Sequence, residues 1–588
     1  MSSQQRGSVV SMGGQAIRPS QFVFTFGVGS IIEAPNGPRI IKGFSEWGRL
    51  FGAGRDISVN QFEIHDSSAS ALLGNGRIFK IPTNAQLNEP DNEPVFRTGY
   101  FPNWALCIRH GFLYELQQGD RTRCPDCNAA GEFHSGRKEG IRFVRACQDG
   151  HMDDVDWYGI VHHFKKDCSN TVFRWNSEGG SLRNVTIVCE CGAQATLSDV
   201  YNLTRYCTGR YPETGRTRNS CDKESMVTLR GSSSLRISEI ITTITLPRFS
   251  TKLHRIFDEV QLRTILTLKD DWTKKELLSY IEKMTASDPT LVNPRIVEEI
   301  KNSDETRLLE VIRDTKEFGK KRPTKIEDVR KEELRSLQEA AKFGFPPDPS
   351  SENPDFQVNK LHVRDNVPFG KHRLRIAPVD KLRVINVQKG YRRLGTEPAN
   401  KVVPTFYDDG KNKWFPGIEQ IGEGIFIDAG ETPLDITSKE WKTEFSSSDG
   451  QIEYSPTFVW WHSLSHRIIS ALSIDSGYSS AAIRENVYTI PNIKTGSLTG
   501  GILLYTVQSG GDGTLGGLIS LVPQFENVLD AAMRNIDFCS NDPLCNENGM
   551  KPGKHSGASC YACMLLSETS CAHRNMNLDR NLLRGNFK

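Results

Sequence analysis

Apolar residues recur along this chain in three rhythms, and each predicts a different kind of structure. In residues 1–100, short apolar runs (Phe22 to Phe26, Ile31-Ile32, Ile40-Ile41 and Arg77 to Ile81) alternate with Gly, Pro and Asn breaks. That punctuation belongs to short strands joined by turns, so a β-rich N-terminal unit is expected. Residues 101–247 continue with short apolar segments and end in the alternating stretch Leu235 to Leu246. From 248 to 350 the rhythm changes to Leu and Ile at helical spacing amid dense Lys, Glu, Asp and Arg, as in Glu276-Leu-Leu-Ser-Tyr-Ile. These are expected as solvated helices broken at Pro289, Pro294 and Pro323; both signs of charge are interleaved, as on a plain solvated face.

The Pro/Asn/Asp-rich segment 351–375 reads as a loop, which leads into strands at Lys381 to Gln388 and Ile418 to Ile427 within a linker and strand-rich stretch, 351–450. The last stretch, 451–588, opens on Phe458-Val-Trp-Trp-His-Ser-Leu-Ser-His-Arg-Ile-Ile-Ser-Ala-Leu, apolar enough on every side for a buried helix. Strands at Asn486 to Ile490 and Gly501 to Thr506, a Gly-rich loop and a helix near Leu518 to Ile536 follow. The fold class expected is α+β and multidomain: a β-rich N-terminal unit, zinc-ribbon-like modules, a charged helical region and a C-terminal α/β zinc-binding domain.

With 588 residues the chain is too long for one ordinary core. Its 37% hydrophobic and 24% charged residues are those of a globular protein, and no apolar run reaches the length of a membrane span. Met1 to Arg18 is polar and Gly/Ser-rich, without the apolar core of a secretory signal, so the cytoplasm is the expected compartment. A net charge of +2 does not advertise nucleic-acid binding, and any DNA contact must come from local patches or a partner.

Cysteine changes this picture most. Nine of the 14 Cys fall between Phe101 and Pro247, and in a reducing compartment such clusters are metal ligands more often than disulfides. Cys107-x2-His110 followed by Cys124-x2-Cys127 supplies two chelating pairs joined by a loop, the arrangement tetrahedral zinc requires. Cys189-x-Cys191 with Cys207 and Cys221 forms a second expected group, although its one-residue gap is tighter than an ordinary knuckle. Cys539-x5-Cys545 with Cys560-x2-Cys563 forms a third, with Cys571, His555 and His573 as alternative ligands. Cys147 and Cys168 have no paired Cys nearby and are expected as small buried hydrophobes. Two or three structural zinc ions follow, with no catalytic residue assigned.

His462 and His466 lie four apart on the predicted helix, but Ser463-Leu464-Ser465 between them lacks the Glu of the metalloprotease motif. Flanked by Trp460, Trp461 and Ile468, they are expected as core or interface residues. The rival is a metal-dependent DNA hydrolase or nuclease that joins them to a carboxylate such as Glu423 or Asp512. The acidic group Asp149, Asp153, Asp154 and Asp156 around His151 is expected as a polar loop. Gly510-Gly-Asp-Gly-Thr-Leu-Gly-Gly517 lacks the Lys-Ser/Thr of a P-loop, and Gly549 to His555 has neither its spacing nor its hydroxyl, so this chain is not expected to hydrolyse nucleotides.

Several segments together resemble the DrmB family, a component of bacterial DISARM anti-phage systems. They are Arg18-Pro-Ser-Gln with Phe26-Gly-Val-Gly-Ser-Ile-Ile, Phe101-Pro-Asn-Trp-x2-Cys107, Cys147-Gln-Asp-Gly-His151, Arg230-Gly-Ser-Ser and Gly422-Glu-Gly-Ile-Phe. Further on come His462-Ser-Leu-Ser-His466, Ser476-Gly-Tyr-Ser, Gly513-Thr-Leu-Gly-Gly and Cys560-x2-Cys563-Met-Leu-Leu-Ser-Glu-Thr-Ser-Cys571. The resemblance leaves out only the charged helical stretch. Residues 451–588 are similar to the domain that follows the motor lobes of some superfamily-two DNA helicases, where four cysteines bind zinc. What the resemblance implies is an accessory subunit that associates with a separate helicase polypeptide, DrmA, and helps bind or restrict phage DNA. His110 departs from a four-Cys ribbon. The basic segments Lys371 to Arg375 and Lys389 to Arg393 are candidate phosphate contacts, and Trp460 and Trp414 candidate stacking platforms.

Overall fold

The computed structural model describes residues 17–35, 37–47, 59–83, 85–87, 95–116, 124–132, 139–165, 168–177, 181, 184–217, 221–245, 252–257, 260–287, 294–320, 325–346, 355–396, 399–430, 434–438, 441, 455–491, 498–508, 517–547 and 556–587. The chain is an α+β protein that divides into two compact units, each assembled from separated stretches of sequence.

The first unit takes in Met1–Ile64, Gly76–Ile241 and Asn386–Ile418. Its N-terminal part contains an antiparallel sheet of Ile31–Ala34, Gly37–Ile41 and Thr98–Tyr100, beside a core of Phe22, Phe44, Trp47, Phe79 and Trp414. The run Phe22 to Phe26, expected as a strand, lies instead in and just after the helix Pro19–Phe24. Pro19 supplies the fixed φ of a first helical turn, and the backbone N–H of Arg18 donates to Gln21 Oε1 at 3.0 Å. A five-stranded sheet runs in the order Gln194–Thr196, Val185–Val188, Val172–Ser177, Phe112–Glu115, Trp104–Cys107. A four-stranded sheet runs Arg205–Tyr206, Glu224–Leu229, Phe143–Cys147, Met152–Asp154.

The second unit comprises His65–Asn75, Thr242–Ile385 and Glu419–Lys588. Its long strands lie in the order His372–Arg392, Lys413–Asp428, Leu498–Gln508, Ile483–Pro491, the first two contributing here only their residues within this unit. Both faces are covered. Ile425, Ile427, Ile502 and Leu504 pack with the helix Pro456–Asp475, while Phe426, Leu503 and Tyr505 pack with Leu334 and Leu337 of the helix Ile326–Phe343. A strand buried on alternate sides has no polar face to show, which is why Ile-Phe-Ile and Ile-Leu-Leu-Tyr are unbroken apolar runs. Ser455 caps the helix Pro456–Asp475 by accepting from the Phe458 N–H, and Pro456 opens its first turn. The charged stretch forms helices, of which Lys252–Phe257, Val260–Thr267, Lys274–Ser287, Pro294–Asn302 and Glu305–Lys320 share a core of Leu262, Ile265, Leu277, Ile300, Leu308 and Val311.

Two expectations are corrected in this unit. Within 351–375, Arg364–Phe369 forms a hairpin with the strand beginning at His372, through a two-residue turn whose first position is Gly370 at φ +56°. The expected helix near Leu518 to Ile536 is a 3₁₀ segment Ile519–Gln524 followed by the α-helix Phe525–Met533, because Pro523 cannot supply a mid-helix N–H.

In the two basic segments, Arg375, Arg392 and Arg393 are engaged by partners within the protein, whereas Lys371, Arg373 and Lys389 are exposed. Arg375 donates from Nε and Nη2 to the Asp428 carboxylate at 2.8 and 2.6 Å, and both residues are buried. In the first unit, Arg393 is fully buried and donates to the carbonyls of Gly150, Leu235 and Gly29 at 2.9, 2.7 and 3.1 Å. Arg392 bonds the Glu239 carboxylate at 2.6 Å. These three arginines are occupied by internal acceptors and are not free to meet phosphates. Trp460 and Trp414 are likewise buried and offer no surface for stacking.

Removing one partner of a buried pair strands the other charge, at a cost of about 3–5 kcal/mol. Arg375→Met is therefore expected to lower the thermal unfolding midpoint of the full chain markedly, while Arg373→Met, on the exposed side of the same strand, leaves it unchanged. Calorimetry of the two variants checks this; equal midpoints would contradict the assigned role of the pair.

Candidate metal centres

Four tetrads of Cys and His side chains come together among the described residues, each with all ligand atoms within 4.8 Å of one another. In the first, the hairpin of Trp104–Cys107 and Phe112–Glu115 turns through Cys107, His110 and Gly111, where φ of +67° and a would-be Cβ 3.0 Å from the Trp175 carbonyl favour glycine. Cys124 precedes the short helix Pro125–Ala129, which carries Cys127. His110 Nδ1 lies 3.7, 3.4 and 3.2 Å from the sulfurs of Cys107, Cys124 and Cys127, and the Cys107 and Cys127 sulfurs are 3.9 Å apart.

A Zn–S bond of about 2.3 Å and a Zn–N bond of about 2.0 Å give tetrahedral edges of roughly 3.8 Å between sulfurs and roughly 3.5 Å between sulfur and nitrogen. The donor atoms of the first tetrad thus already have close to the required spacing. His110 fits in place of a fourth cysteine.

The group expected from Cys189, Cys191, Cys207 and Cys221 is two groups. Cys207 and Cys221 join Cys147 and His151, whereas Cys189 and Cys191 join His162 and Cys168. The four-stranded sheet explains the first partition: Glu224–Leu229 pairs with Phe143–Cys147, placing Cys147 opposite Ser225. Cys207 and Cys221, linked by a Cys221 N–H to Cys207 carbonyl bond of 3.2 Å, meet Cys147 at that end of the sheet. Cys147 and His151 bracket a turn through Gly150, at φ +82°, and the Cys147 sulfur lies 3.4 Å from His151 Nδ1. The acidic residues around it are structural: Asp153 pairs with Arg210, and Asp154 accepts from Asn103 N and Nδ2.

In the third tetrad, His162 ends the helix Trp157–Val161, Cys168 precedes the strand Val172–Ser177, and Cys189 and Cys191 sit in the turn after Val185–Val188. His162 Nδ1 is taken up by the Tyr158 carbonyl at 2.9 Å. That leaves the buried Nε2 for a metal, and it makes no hydrogen bond of its own. The Cys168 and Cys189 sulfurs are 3.8 Å apart. The Ala193 N–H and the Cys189 side chain hold the Cys191 thiol down at about 7, while burial pushes Cys189 up to about 11.

Cys147 and Cys168, expected as plain core residues, thus belong to tetrads. The signals for them were Cys147-x3-His151 and His162-x5-Cys168, mixed pairs that a search for paired cysteines passes over.

The fourth tetrad is the expected one: Cys539, Cys545 on the helix Leu544–Glu547, Cys560 and Cys563. Sulfur separations are 3.4 Å for Cys539–Cys560 and 3.7 Å for both Cys545–Cys563 and Cys560–Cys563. Arg580 braces it through Asp542, whose carboxylate also accepts from the Cys539 N–H at 2.8 Å. Backbone N–H groups two residues on point at Cys168, Cys207 and Cys539, from Asn170, Gly209 and Asn541 at 3.4 Å each. Such bonds stabilise a thiolate more than a thiol. All 14 cysteines are free of disulfides.

Cys571, considered for the fourth tetrad, lies instead with His462, His466 and Glu485 in a buried group. The carboxylate beside the histidines is therefore Glu485. Glu423 is engaged elsewhere, with the Leu518 N–H at 2.9 Å and the Tyr478 hydroxyl at 3.3 Å. With both histidines fully buried, this is not the open site that the hydrolase reading needs. Asp512, His555, most of the Gly510–Gly517 loop and the Gly549 to His555 segment lie outside the described residues. No described helix is long and apolar enough to cross a membrane.

These geometries accord with what the chain is similar to. Residues 18–237 match a family described as a domain of unknown function (DUF8724), and residues 464–564 match the MrfA Zn-binding domain. The latter match contains Cys539, Cys545, Cys560 and Cys563, so zinc is the metal to which the chain's clusters are suited. A crystal structure of the DUF1998 helicase MrfA bound to DNA aligns over 32% of this chain and 22% of that one, at 12% identity and a TM-score of 0.19. The DISARM protein DrmB of Bacillus paralicheniformis is 25% identical over 580 residues, covering 89% of this chain and 94% of its own. The chain is therefore similar to a DISARM component over almost its whole length.

Proposed function

We propose that this chain is a non-catalytic subunit of a DISARM phage-defence system that associates in the cytoplasm with the DrmA helicase and helps bind or restrict phage DNA. The observation that carries this reading is the similarity to DrmB along nearly the whole chain. The sequence adds to it by lacking a P-loop, so the energy of ATP has to come from a partner. The character of the metal sites supports it too. Each Cys/His tetrad offers four protein ligands, which leaves no coordination position for water or a scissile phosphate.

In this reading the four tetrads hold structural zinc: Cys107, His110, Cys124 and Cys127; Cys147, His151, Cys207 and Cys221; His162, Cys168, Cys189 and Cys191; and Cys539, Cys545, Cys560 and Cys563. Zinc bound there supplies folding free energy, roughly 10–16 kcal/mol per site in isolated zinc-finger peptides. The chain's own residues set the geometry: hairpins fix the knuckle turns, and backbone N–H groups at the sulfurs favour the thiolates. DNA contact then falls to exposed groups, with Lys371, Arg373 and Lys389 the accessible members of the two basic segments, or to the helicase partner.

The division of the central cysteines has a direct test. Cys189→Ser and Cys207→Ser are each expected to remove one equivalent of zinc from the purified full chain, and the double variant two, measured by elemental mass spectrometry. A double variant that loses only one would restore the single-site grouping.

For the role itself, the chain co-expressed with a DrmA helicase is expected to co-purify with it and to hydrolyse ATP at background rate when alone. Failure to associate, or ATP turnover that survives repurification of the isolated chain, would count against the proposed subunit.

A further inference from the structure

His462, His466, Glu485 and Cys571 come from three parts of the C-terminal sequence: the helix Pro456–Asp475, the strand Ile483–Pro491 and the segment after Cys563. Their relative exposures are 0, 0, 1 and 5%. Spacing of four places the two imidazoles one above the other on the helix, and their rings stand 4.7 Å apart. The Glu485 N–H bonds the Ser570 carbonyl at 3.1 Å, bringing strand and C-terminal segment into register beside them.

With neutral imidazoles, the hydrogen bonds around them close with protons only if the Glu485 carboxyl and the Cys571 thiol are both protonated. His462 Nδ1 faces the Asn577 carbonyl at 3.2 Å and His466 Nδ1 faces the Met564 carbonyl at 2.7 Å. A carbonyl oxygen only accepts, so each Nδ1 carries the hydrogen, and in a neutral ring Nε2 is then a bare lone pair. Both lone pairs converge on another acceptor: Glu485 Oε1 is 2.9 Å from His462 Nε2 and 3.3 Å from His466 Nε2. The Cys571 sulfur lies 3.3 Å from His462 Nε2. Choosing the other tautomer moves the conflict to the carbonyls. Protonating both rings sets two positive charges against one carboxylate in a fully buried group, which is costly.

A divalent cation resolves all of these contacts. Two imidazole nitrogens, a carboxylate oxygen and a thiolate form a four-ligand set, and the two negative ligands neutralise the ion's charge. Tetrahedral edges of about 3.3 Å between N and O ligands and about 3.5 Å between N and S are within a few tenths of those present. The surroundings match as well: each histidine's other nitrogen is fixed by a carbonyl, and the Ser465 hydroxyl donates to Glu485 Oε2. Cys571 Sγ accepts the backbone N–H groups of His573 and Asn575 at 3.3 and 3.2 Å. The first repeats the two-residue pattern at Cys168, Cys207 and Cys539.

We infer that His462, His466, Glu485 and Cys571 form a further zinc site, separate from the Cys539, Cys545, Cys560 and Cys563 tetrad, which fastens the C-terminal segment to the core helix and its neighbouring strand. With four ligands and no exposure it is a structural staple.

The test uses the full chain, with zinc as the only added metal. Anomalous difference maps from crystals, recorded above and below the zinc edge, are expected to place a zinc peak within bonding distance of His462 Nε2, His466 Nε2, Glu485 and Cys571. Cys571→Ser and His466→Gln are each expected to lower the zinc content by one equivalent and to leave the Cys539 to Cys563 peak in place. A map with zinc at the cysteine tetrads and none between the two histidines overturns the inference. So does a zinc content unchanged in both variants, because the four residues would then be a proton-filled hydrogen-bond network. If a variant fails to fold, the map of the unaltered protein still decides.

Discussion

Taking a charge or a strong donor out of water costs several kcal/mol unless the protein supplies a partner of opposite character, and this chain does so repeatedly. Arg393 donates to three carbonyls, Arg375 to a carboxylate through two bonds, and Arg580 to Asp542 next to a cysteine tetrad. The Cys/His tetrads pose the same problem with donors that all point inward. Sulfurs 3.4 to 3.9 Å apart, with N–H groups aimed at several of them, form a concentrated negative centre once ionised. A cation completes such an environment, and zinc bound at the ends of the first unit's short strands would add cross-links to their apolar burial.

That dependence follows from the lengths of the elements. Arg205–Tyr206 and Arg210–Tyr211 are two-residue strands, and the helices Trp157–Val161 and Pro125–Ala129 span five residues each. Elements this short form too few backbone bonds to persist alone and need cross-links. The second unit is built differently. Its strands bury both faces, and its main helix contributes Trp460, Trp461, Leu464, Ile468 and Leu472 to one continuous core. There the donor clusters lie at the margin of an already large apolar interior, and their effect is on how the segment from Cys539 to Asn586 is held.

How much of this was legible in the sequence depended on how far apart the partners lie. The Cys107–His110–Cys124–Cys127 and Cys539–Cys545–Cys560–Cys563 groups are local, and knuckle spacing within 21 or 25 residues identifies them. The central cysteines are not local in this sense. Cys147 meets Cys207 and Cys221 because Phe143–Cys147 pairs with Glu224–Leu229, some 80 residues away, and spacing along the chain carries no trace of that register. Reading Cys189 through Cys221 as one group followed proximity in sequence and was overridden by sheet order. The arginines of the basic segments illustrate a different limit. In Lys389-Gly-Tyr-Arg-Arg the charge is conspicuous, but Tyr391 and Arg393 are buried and the Gly390 Cβ position lies 2.3 Å from the Val403 carbonyl, so that Lys389 alone of the five is exposed.

Under the proposed function, the arrangement also constrains how the molecule would contribute to restriction of DNA. Hydrolysis of a phosphodiester by a metal needs an exchangeable position on the ion and a path for the backbone to reach it. The histidines closest in pattern to such a centre, His462 and His466, have their Nδ1 atoms fixed by carbonyls and their Nε2 atoms directed at Glu485 and Cys571 within a packed core. Opening that group to a polymer would mean separating the helix Pro456–Asp475 from the strand Ile483–Pro491, whose packing forms part of the unit's main core. Under the proposed function, work on DNA falls to a motor on another chain. In that reading this chain acts through its surface, and its buried ionic and metal-binding groups serve to hold the elements beneath that surface in place.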